Sequence, residues 1–125
     1  MKLQSFEALN LWSEVVTAAV RKDVPDLSQR QLAIMLTIYL TPPPHTVRGL
    51  AEHLRISKPA VTRALDTLSI MGLAKRRRDE ADKRNVLIQR TVAGSVYLSE
   101  LSEQITSAAE RLETEPSLSL LRPVG

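Results

Sequence analysis

Several kinds of residue are missing or scarce in this sequence, and each absence excludes a class of protein. The 125 residues contain no cysteine, which excludes a disulfide scaffold, thiolate zinc sites and thiol redox sensing in this chain. No apolar stretch approaches the roughly 18 residues that a membrane span needs. No signal peptide is apparent, because Glu7 and Asn10 interrupt the apolar start that it requires. A cytoplasmic protein without a membrane partner is therefore expected.

Aromatic residues make up only 3% of the chain, and this low content limits which kinds of nucleic acid the protein could bind. The four aromatic side chains all lie outside the basic segment described below; they are Phe6, Trp12, Tyr39 and Tyr97. Proteins that bind RNA or single strands stack bases on aromatic side chains. The sequence therefore disfavours both of these ligands.

The residues that enzymes commonly need are also missing. There is no glycine-rich phosphate loop and no HExxH pair. The two histidines are His45, beside a proline run, and His53, and a capping or solvent-facing role suits both better than metal binding. We therefore predict no enzyme, no catalytic residue, no metal site and no cofactor.

What is present is a basic segment in the middle of the chain. The net charge is only +3, but residues 1–45 carry a net of 0 and residues 91–125 a net of −3. Residues 46–90 hold eleven basic and five acidic side chains, a net of +6. Such a localised positive charge predicts an anionic partner, although a merely solvated charged face is the simpler alternative.

Apolar spacing and helix-capping residues predict the secondary structure. An amphipathic helix is expected from Gln4 to about Lys22, and a central apolar helix between Ser28 and the prolines 42–44. Two more helices follow, with Thr46 and Ser57 as their N-caps. Two short strands, about 73–77 and 85–89, precede a last helix from near 91 to about 114.

A short helix, a tight turn, a second helix and a basic hairpin form a winged helix-turn-helix. The predicted fold class is therefore mostly α with a small β-hairpin wing and with helices at both ends. In such a fold the second helix lies in the major groove of DNA and its partner holds it against the backbone. This interpretation gives the basic segment an anionic ligand, double-stranded DNA.

The predicted recognition helix, residues 58–71, divides into an inward and an outward face. Arg63 on the outer face suits guanine, Thr62 a base edge or phosphate, and Pro59 a thymine methyl group. Ser57 and Lys58 lie at the helix start, where phosphates bind. Asp66, one turn beyond Arg63, is expected to orient that arginine.

The predicted wing, residues 78–85, supplies a second contact. Its tip carries Lys83 and Arg84, and an arginine inserted into a narrow minor groove is stabilised by the negative potential there. Asp82 is expected to brace Arg84. The basic run before the tip contributes Lys75, Arg77 and Arg78 to the expected DNA contacts, although such runs are often only solvated.

Residues 27–101 resemble the MarR-type (multiple antibiotic resistance regulator) winged-helix transcription factors. The likeness is carried by a series of short motifs in a fixed order: Leu27-Ser28-x-x-Gln31, Leu50-Ala51-x-x-Leu54, Ser57-Lys58-x-x-Val61-Thr62-Arg63, Gly72-Leu73, Asp82-Lys83-Arg84-x-Val86-Leu87 and Thr91-x-x-Gly94. It implies a homodimer that binds a roughly palindromic operator and usually represses transcription. It further implies that Arg84 enters the minor groove with Asp82 as its salt-bridge partner, and that a small-molecule effector can bind.

Two features depart from the family pattern. Arg55 stands at a turn position where the family commonly has glycine, so the turn is expected to be strained or differently shaped. The chain also ends soon after Pro116, where many relatives continue into another helix of the dimer interface.

Dimerisation is therefore expected to rest on the first and last helices, each of which has an apolar stripe at three-four spacing. The expected organisation is one domain, residues 1–125. It comprises a DNA-binding lobe at 27–90, a helical dimerisation base at 4–22 and 91–115, and a flexible tail at 116–125. The expected dimer residues are Leu9, Trp12, Val16, Leu98, Leu101, Ile105 and Leu112. Packing of the two stripes within one chain is the alternative.

One alternative function remains open at this point. A winged helix can also bind proteins, and the basic face would then meet an acidic protein partner instead of DNA. The salt dependence of duplex binding separates the two, because its slope reports the number of phosphates that the protein neutralises.

Overall fold

Five helices and three short strands make up residues 3–114, the part of the chain that the computed structural model describes. In chain order they are α1 (Ser5–Arg21), α2 (Gln29–Leu40), β1 (His45–Thr46), α3 (Val47–Leu54), α4 (Lys58–Ile70), β2 (Ala74–Arg78), β3 (Val86–Arg90) and α5 (Val92–Thr114). The expected tail, 116–125, lies outside the described residues. None of the described helices is long and apolar enough to cross a membrane.

Three helices begin at the hydroxyl caps that the sequence predicts. Ser28, Thr46 and Ser57 each accept a hydrogen bond on the side-chain oxygen from the backbone N–H three residues further on, at 2.9–3.2 Å. Each bond satisfies one of the amides that a helix start leaves without an intrahelical partner. These caps fix where α2, α3 and α4 begin.

The chain separates into two compact units. The winged-helix unit runs from Leu27 to Leu98, and the helical unit combines the segment up to Asp26 with the segment from Ser99 onward. The core of the winged-helix unit comes mainly from α2 and α4. Its most completely buried side chains are Ile34, Met35, Ile38, Leu50, Val61, Leu65 and Leu68.

The three strands form one antiparallel sheet in the order β1-β3-β2. The hairpin β2–β3 is the expected wing, with each strand one residue later than predicted. Strand β1 is an addition to the prediction, because its two residues are too few to show a period-two pattern. His45 pairs with Ile88 and Thr46 with Leu87. The wing strand β3 is therefore hydrogen-bonded to the segment that directly precedes α3. The winged helix-turn-helix fold is confirmed, with three strands in place of two.

Helices α3 and α4 end in the same kind of turn. After α4, Gly72 adopts φ +74°, its N–H bonds to the Ser69 carbonyl at 3.0 Å, and the N–H of Leu73 bonds to the Leu68 carbonyl at 2.9 Å. After α3, the residue in the left-handed region is Arg55, with φ +56°. Both are Schellman turns, in which a left-handed residue lets the chain satisfy the last helical carbonyls.

The hydroxyl of a half-buried tyrosine connects α2 to the junctions on both sides of the wing. The hydroxyl of Tyr39 donates to the Leu73 carbonyl at 2.7 Å and accepts from the Thr91 N–H at 2.9 Å. The hydroxyl of Thr91 donates to the Gly72 carbonyl at 2.7 Å and accepts from the Gly94 N–H at 2.9 Å. Gly94 has no side chain, and this lets the first turn of α5 approach Tyr39 and Leu73.

Arg90 reinforces this junction from the last position of β3. Its guanidinium donates from Nε to the Ile38 carbonyl at 2.9 Å and from Nη2 to the Thr41 carbonyl at 3.0 Å. It also lies over the Tyr39 ring, 5.9 Å from the centroid. A cation at the carboxyl end of a helix satisfies free carbonyls and is favoured by the helix dipole. Strand β3 is thereby fixed to the end of α2.

The helical unit contains α1 and the part of α5 from Ser99 onward. Its buried apolar residues are Val15, Ala108 and Leu112. Two ion pairs link the helices, Lys22 to Glu100 at 3.3 Å and Glu14 to Arg111 at 2.6 Å. Because all four side chains are at least a third exposed, these pairs contribute to the orientation of the helices more than to stability.

We predict that Gly94→Ala destabilises the protein by about 3 kcal/mol, because a Cβ there would overlap the Tyr39 hydroxyl and the Leu73 carbonyl oxygen. Urea unfolding followed by circular dichroism measures the change. Exposed Ser95→Ala, one residue away, is the control and should stay within about 0.5 kcal/mol of the wild type. Equal stability of the Gly94→Ala and Ser95→Ala variants would show that the close approach is not needed.

Candidate nucleic-acid interface

Helix α4 buries one face and exposes the other, as the sequence predicts. Val61, Leu65 and Leu68 are fully buried in the core of the winged-helix unit. Lys58, Pro59, Thr62 and Arg63 are exposed. The outer face therefore offers a positive charge, a hydroxyl, an apolar ring and a guanidinium to the solvent.

The start of α4 is suited to an anion as well as to base edges. Ser57 caps the helix by accepting from the Ala60 N–H at 3.2 Å, and Pro59 occupies the first turn without loss of a hydrogen bond. The remaining amides and the helix dipole favour negative charge at this end. Lys58 adds a full positive charge at the same position.

Strand β2 presents its basic side chains on two faces of the sheet. Arg76 pairs in register with Ile88, which is buried in the core, so Arg76 lies on the face toward the core. Its Nη1 contacts Oδ1 of Asp66 on α4 at 2.7 Å. Lys75 and Arg77 lie on the opposite face, because side chains alternate along a strand.

The contact of Asp66 with Arg76 corrects a prediction. From the helical spacing, Asp66 is expected to orient Arg63, one turn away on the same helix. The carboxylate instead pairs with a strand arginine ten residues later in the chain. No ion pair of Arg63 is present among residues 3–114, so its guanidinium is available to a ligand.

The wing tip holds Arg84 against Asp82 in a two-point contact. Nε of Arg84 donates to Oδ1 of Asp82 at 2.9 Å, and Nη2 donates to Oδ2 at 3.0 Å. The backbone N–H of Arg84 also donates to Oδ1, at 3.1 Å. Two parallel hydrogen bonds fix the plane of a guanidinium. The Arg84 side chain remains 86% exposed, and Lys83 beside it is exposed as well.

This contact changes the acid–base behaviour of both partners. The side-chain hydrogen bond from Arg84, followed by its backbone hydrogen bond, lowers the pKa of Asp82 below the ordinary aspartate value. A slight burial opposes the shift, and the positive charge of Arg48 adds to it. Asp82 in turn raises the pKa of Arg84. Both groups are thus charged at neutral pH, and the pair is lost only as the pH falls through the lowered pKa of Asp82.

Two arginines of this surface are not among the residues predicted from the sequence. Arg48 lies in the first turn of α3, and its effect on Asp82 shows that it is close to the wing loop. This proximity depends on tertiary structure and has no local signal. Arg76 could have been separated from Lys75 and Arg77, because it lies on the same strand face as apolar Ala74.

The predicted DNA contacts are therefore distributed over α4 and the wing. Ser57, Lys58, Pro59, Thr62 and Arg63 lie at the start and outer face of α4, and Lys75, Arg77, Arg78, Lys83 and Arg84 lie on β2 and the loop after it. All ten residues are exposed. Among residues 3–114, no group of three or more His, Asp or Glu side chains is arranged to hold a metal ion.

The predicted dimer residues fall into two groups. Leu9, Trp12 and Val16 on α1 are 54%, 47% and 41% exposed, and Ile105 on α5 is 36% exposed. Leu101 is half-buried. Leu98 packs against the core of the winged-helix unit, and Leu112 is buried. Leu98 and Leu112 thus pack within the chain, and the exposed members of the predicted dimer set lie mainly on α1.

The comparison with protein families identifies the winged-helix unit. Residues 27–86 match the model of the MarR family. This part of the chain, just under half of its length, is similar to the MarR family. The match covers the helix-turn-helix and the wing up to the first residue of β3, so the resemblance seen in the sequence motifs is confirmed.

Solved structures share the fold well beyond the matched residues. A mutant of MepR from S. aureus, bound to an oligodeoxyribonucleotide, has a TM-score of 0.76 at 18% identity and covers 90% of this chain and 80% of its own. YusO from Bacillus subtilis has a TM-score of 0.73 at 20% identity, and the match covers 91% of this chain and 79% of YusO. FabT from Streptococcus pneumoniae, in complex with DNA, has a TM-score of 0.67 at 21% identity, and the match covers 90% of this chain and 77% of FabT. At these identities the likeness shows the MarR fold.

We predict that the Asp82 carboxyl titrates below the ordinary aspartate value of about 3.9 and that Arg84→Ala returns its pKa toward that value, because the largest cause of the shift is removed. NMR titration of the side-chain carboxyl carbon measures both. Arg77→Ala, which removes a wing arginine outside this contact, should leave the lowered value in place. An unchanged titration in Arg84→Ala would contradict the two-point contact.

Proposed function

We propose that the protein is a transcriptional regulator that binds double-stranded DNA as a homodimer at a pseudo-palindromic operator and represses transcription. The observation that carries the proposal is the exposed basic surface on α4 and the wing of a MarR-family domain. Solved structures with this fold that contain DNA include those of a MepR mutant, FabT and the transcriptional repressor CouR. Their likeness supports the same use of the surface here.

The recognition helix, residues 58–71, lies in the major groove in this proposal. Arg63 reads a guanine, because its free guanidinium can donate to O6 and N7 together. Thr62 contacts a base edge or a phosphate, and Pro59 contacts a thymine methyl group. Ser57 and Lys58 bind phosphate at the helix start, where amides and positive charge coincide. The helix thereby combines base reading with positioning on the backbone.

The wing, residues 78–85, enters the adjacent minor groove. Arg84 makes this contact, because the negative potential of a narrow minor groove attracts a guanidinium. Asp82 holds its plane before DNA arrives and so reduces the conformational entropy that binding removes. Lys75, Arg77, Arg78 and Lys83 neutralise phosphates along the wing, which strengthens binding without reading sequence.

A homodimer places two such lobes on the two halves of an operator. The helical unit forms the dimerisation base, and Leu9, Trp12 and Val16 on α1 are its centre because they are apolar and exposed in the single chain. Ile105 and Leu101 on α5 extend this surface. A repressor acts by occupying the operator, and each half-site then meets one α4 and one wing.

We predict that selection from a random duplex pool yields an operator with two half-sites, and that log K for it falls linearly with log salt concentration. Arg63→Ala should weaken operator binding by about 1–3 kcal/mol and relax the preference at one base pair of each half-site. Lys58→Ala should weaken the operator and a random duplex alike and reduce the salt slope by about 1. Fluorescence anisotropy at several salt concentrations measures the affinity and the salt slope of the wild type and of both variants.

Two outcomes would contradict this assignment. Equal losses on operator and random duplex for Arg63→Ala would exclude base reading by that arginine. No duplex affinity even at low salt would exclude the regulator, and the basic face would then fit an acidic protein partner.

We also predict that Trp12→Glu converts the dimer to a monomer, because a charge at the centre of an apolar interface cannot be solvated there. Sedimentation equilibrium should give twice the 13.9 kDa chain mass for the wild type and the single mass for the variant. Ile70→Glu, at an 87% exposed position of the winged-helix unit, is the control and should stay dimeric. A dimeric Trp12→Glu variant with native circular dichroism would rule out α1 as the interface.

A further inference from the structure

The two Schellman turns of the winged-helix unit allow a comparison within one chain. Arg55 and Gly72 hold the same position, with the same hydrogen bonds. The N–H of each bonds three residues back, to Glu52 at 3.3 Å and to Ser69 at 3.0 Å. The N–H of the next residue bonds five residues back, Ile56 to Ala51 at 3.1 Å and Leu73 to Leu68 at 2.9 Å. The backbone requirement is therefore the same, and only the side chain differs.

Glycine is the residue that this backbone favours. An L-residue in the left-handed region brings its Cβ close to the backbone carbonyl, whereas glycine adopts it freely. At Gly72 an added Cβ would meet no atom within 4 Å, so glycine is needed there for its backbone conformation alone. At Arg55 the chain accepts the strain and keeps a long cationic side chain.

The guanidinium of Arg55 does not connect elements of the fold within the described residues. Arg55 is exposed, and its backbone N–H makes its hydrogen bonds. Within residues 3–114 its guanidinium has neither an ion pair nor a hydrogen bond. Backbone strain that no hydrogen bond or ion pair of the side chain offsets indicates a role in binding.

The position of Arg55 identifies the ligand. It is the first residue after α3 and lies two residues before the cap Ser57 and three before Lys58. In a helix-turn-helix the first helix crosses the sugar-phosphate backbone while the start of the second enters the groove. An exposed guanidinium between the two therefore meets phosphate.

We propose that Arg55 is a DNA-contacting residue that binds one backbone phosphate beside the start of the recognition helix, at a cost in stability. This inference rests on the proposed function, since it needs the basic surface to meet duplex DNA. It adds a contact outside the ten residues assigned from the sequence. It also explains why a turn that suits glycine carries arginine.

The test uses the full chain and a 25-base-pair duplex of arbitrary sequence, because a phosphate contact is independent of sequence. For Arg55→Gly we expect opposite changes in two measurements. The thermal midpoint should rise by about 2–4 °C as the strain is relieved. The affinity at 0.1 M salt should fall about five- to ten-fold, and the slope of log K against log salt should decrease by about 0.9 per chain.

Two further variants separate charge from backbone. Arg55→Lys should keep most of the affinity and salt slope without the rise in midpoint, because lysine retains the charge and the strain. Arg21→Ala removes the same charge from the helical unit, where Arg21 is exposed in the last turn of α1. It should leave the salt slope unchanged.

The outcomes distinguish this inference from the function on which it rests. Phosphate contacts are strongest at low salt, about 0.05 M. If the wild-type chain fails to bind the duplex under that condition, both the phosphate contact and the proposed function are overturned. A wild type that binds, with Arg55→Gly equal to it in affinity and slope, overturns the phosphate contact alone. A loss of slope in Arg21→Ala equal to that in Arg55→Gly would show an effect of net charge and also overturn it.

Discussion

The winged-helix unit depends on the hydrogen bonds around one tyrosine hydroxyl. Tyr39 joins α2 to the carbonyl that follows the α4 turn and to the amide that precedes α5. The chain thus leaves α4 and returns from the wing at adjacent points. Gly94 makes this possible because any side chain there would occupy the space of the hydroxyl. The direction in which α4 and the wing present their charges follows from this junction.

The acidic residues within the basic segment organise the positive charge more than they reduce it. Asp66 holds Arg76 on the core side of the sheet, and Asp82 holds the plane of Arg84 at the wing tip. Each carboxylate therefore fixes one guanidinium while the neighbouring cations stay free. A count of charges describes the segment as basic, but only the structure shows which of its arginines are ion-paired.

Features of this fold that follow from local chemistry could be predicted, and those that follow from tertiary contacts could not. The caps Ser28, Thr46 and Ser57 act on amides three residues away, so the sequence shows them. The partner of Asp66 was predicted wrongly, because a helix neighbour was visible in the sequence and a strand neighbour was not. Strand β1 was missed since two residues carry no period. The roles of the ten predicted DNA contacts remain predictions, although the exposure of those on α4 could be read from the helical period.

Thr46 has a mechanical consequence for the unit. Its backbone pairs with Leu87 of the wing strand β3, and its hydroxyl caps the first turn of α3 through the Gly49 amide. A single residue thus belongs to the sheet and to the helix that supports the recognition helix. Because Thr46 belongs to both elements, a displacement of strand β3 would be transmitted through this residue to the first turn of α3.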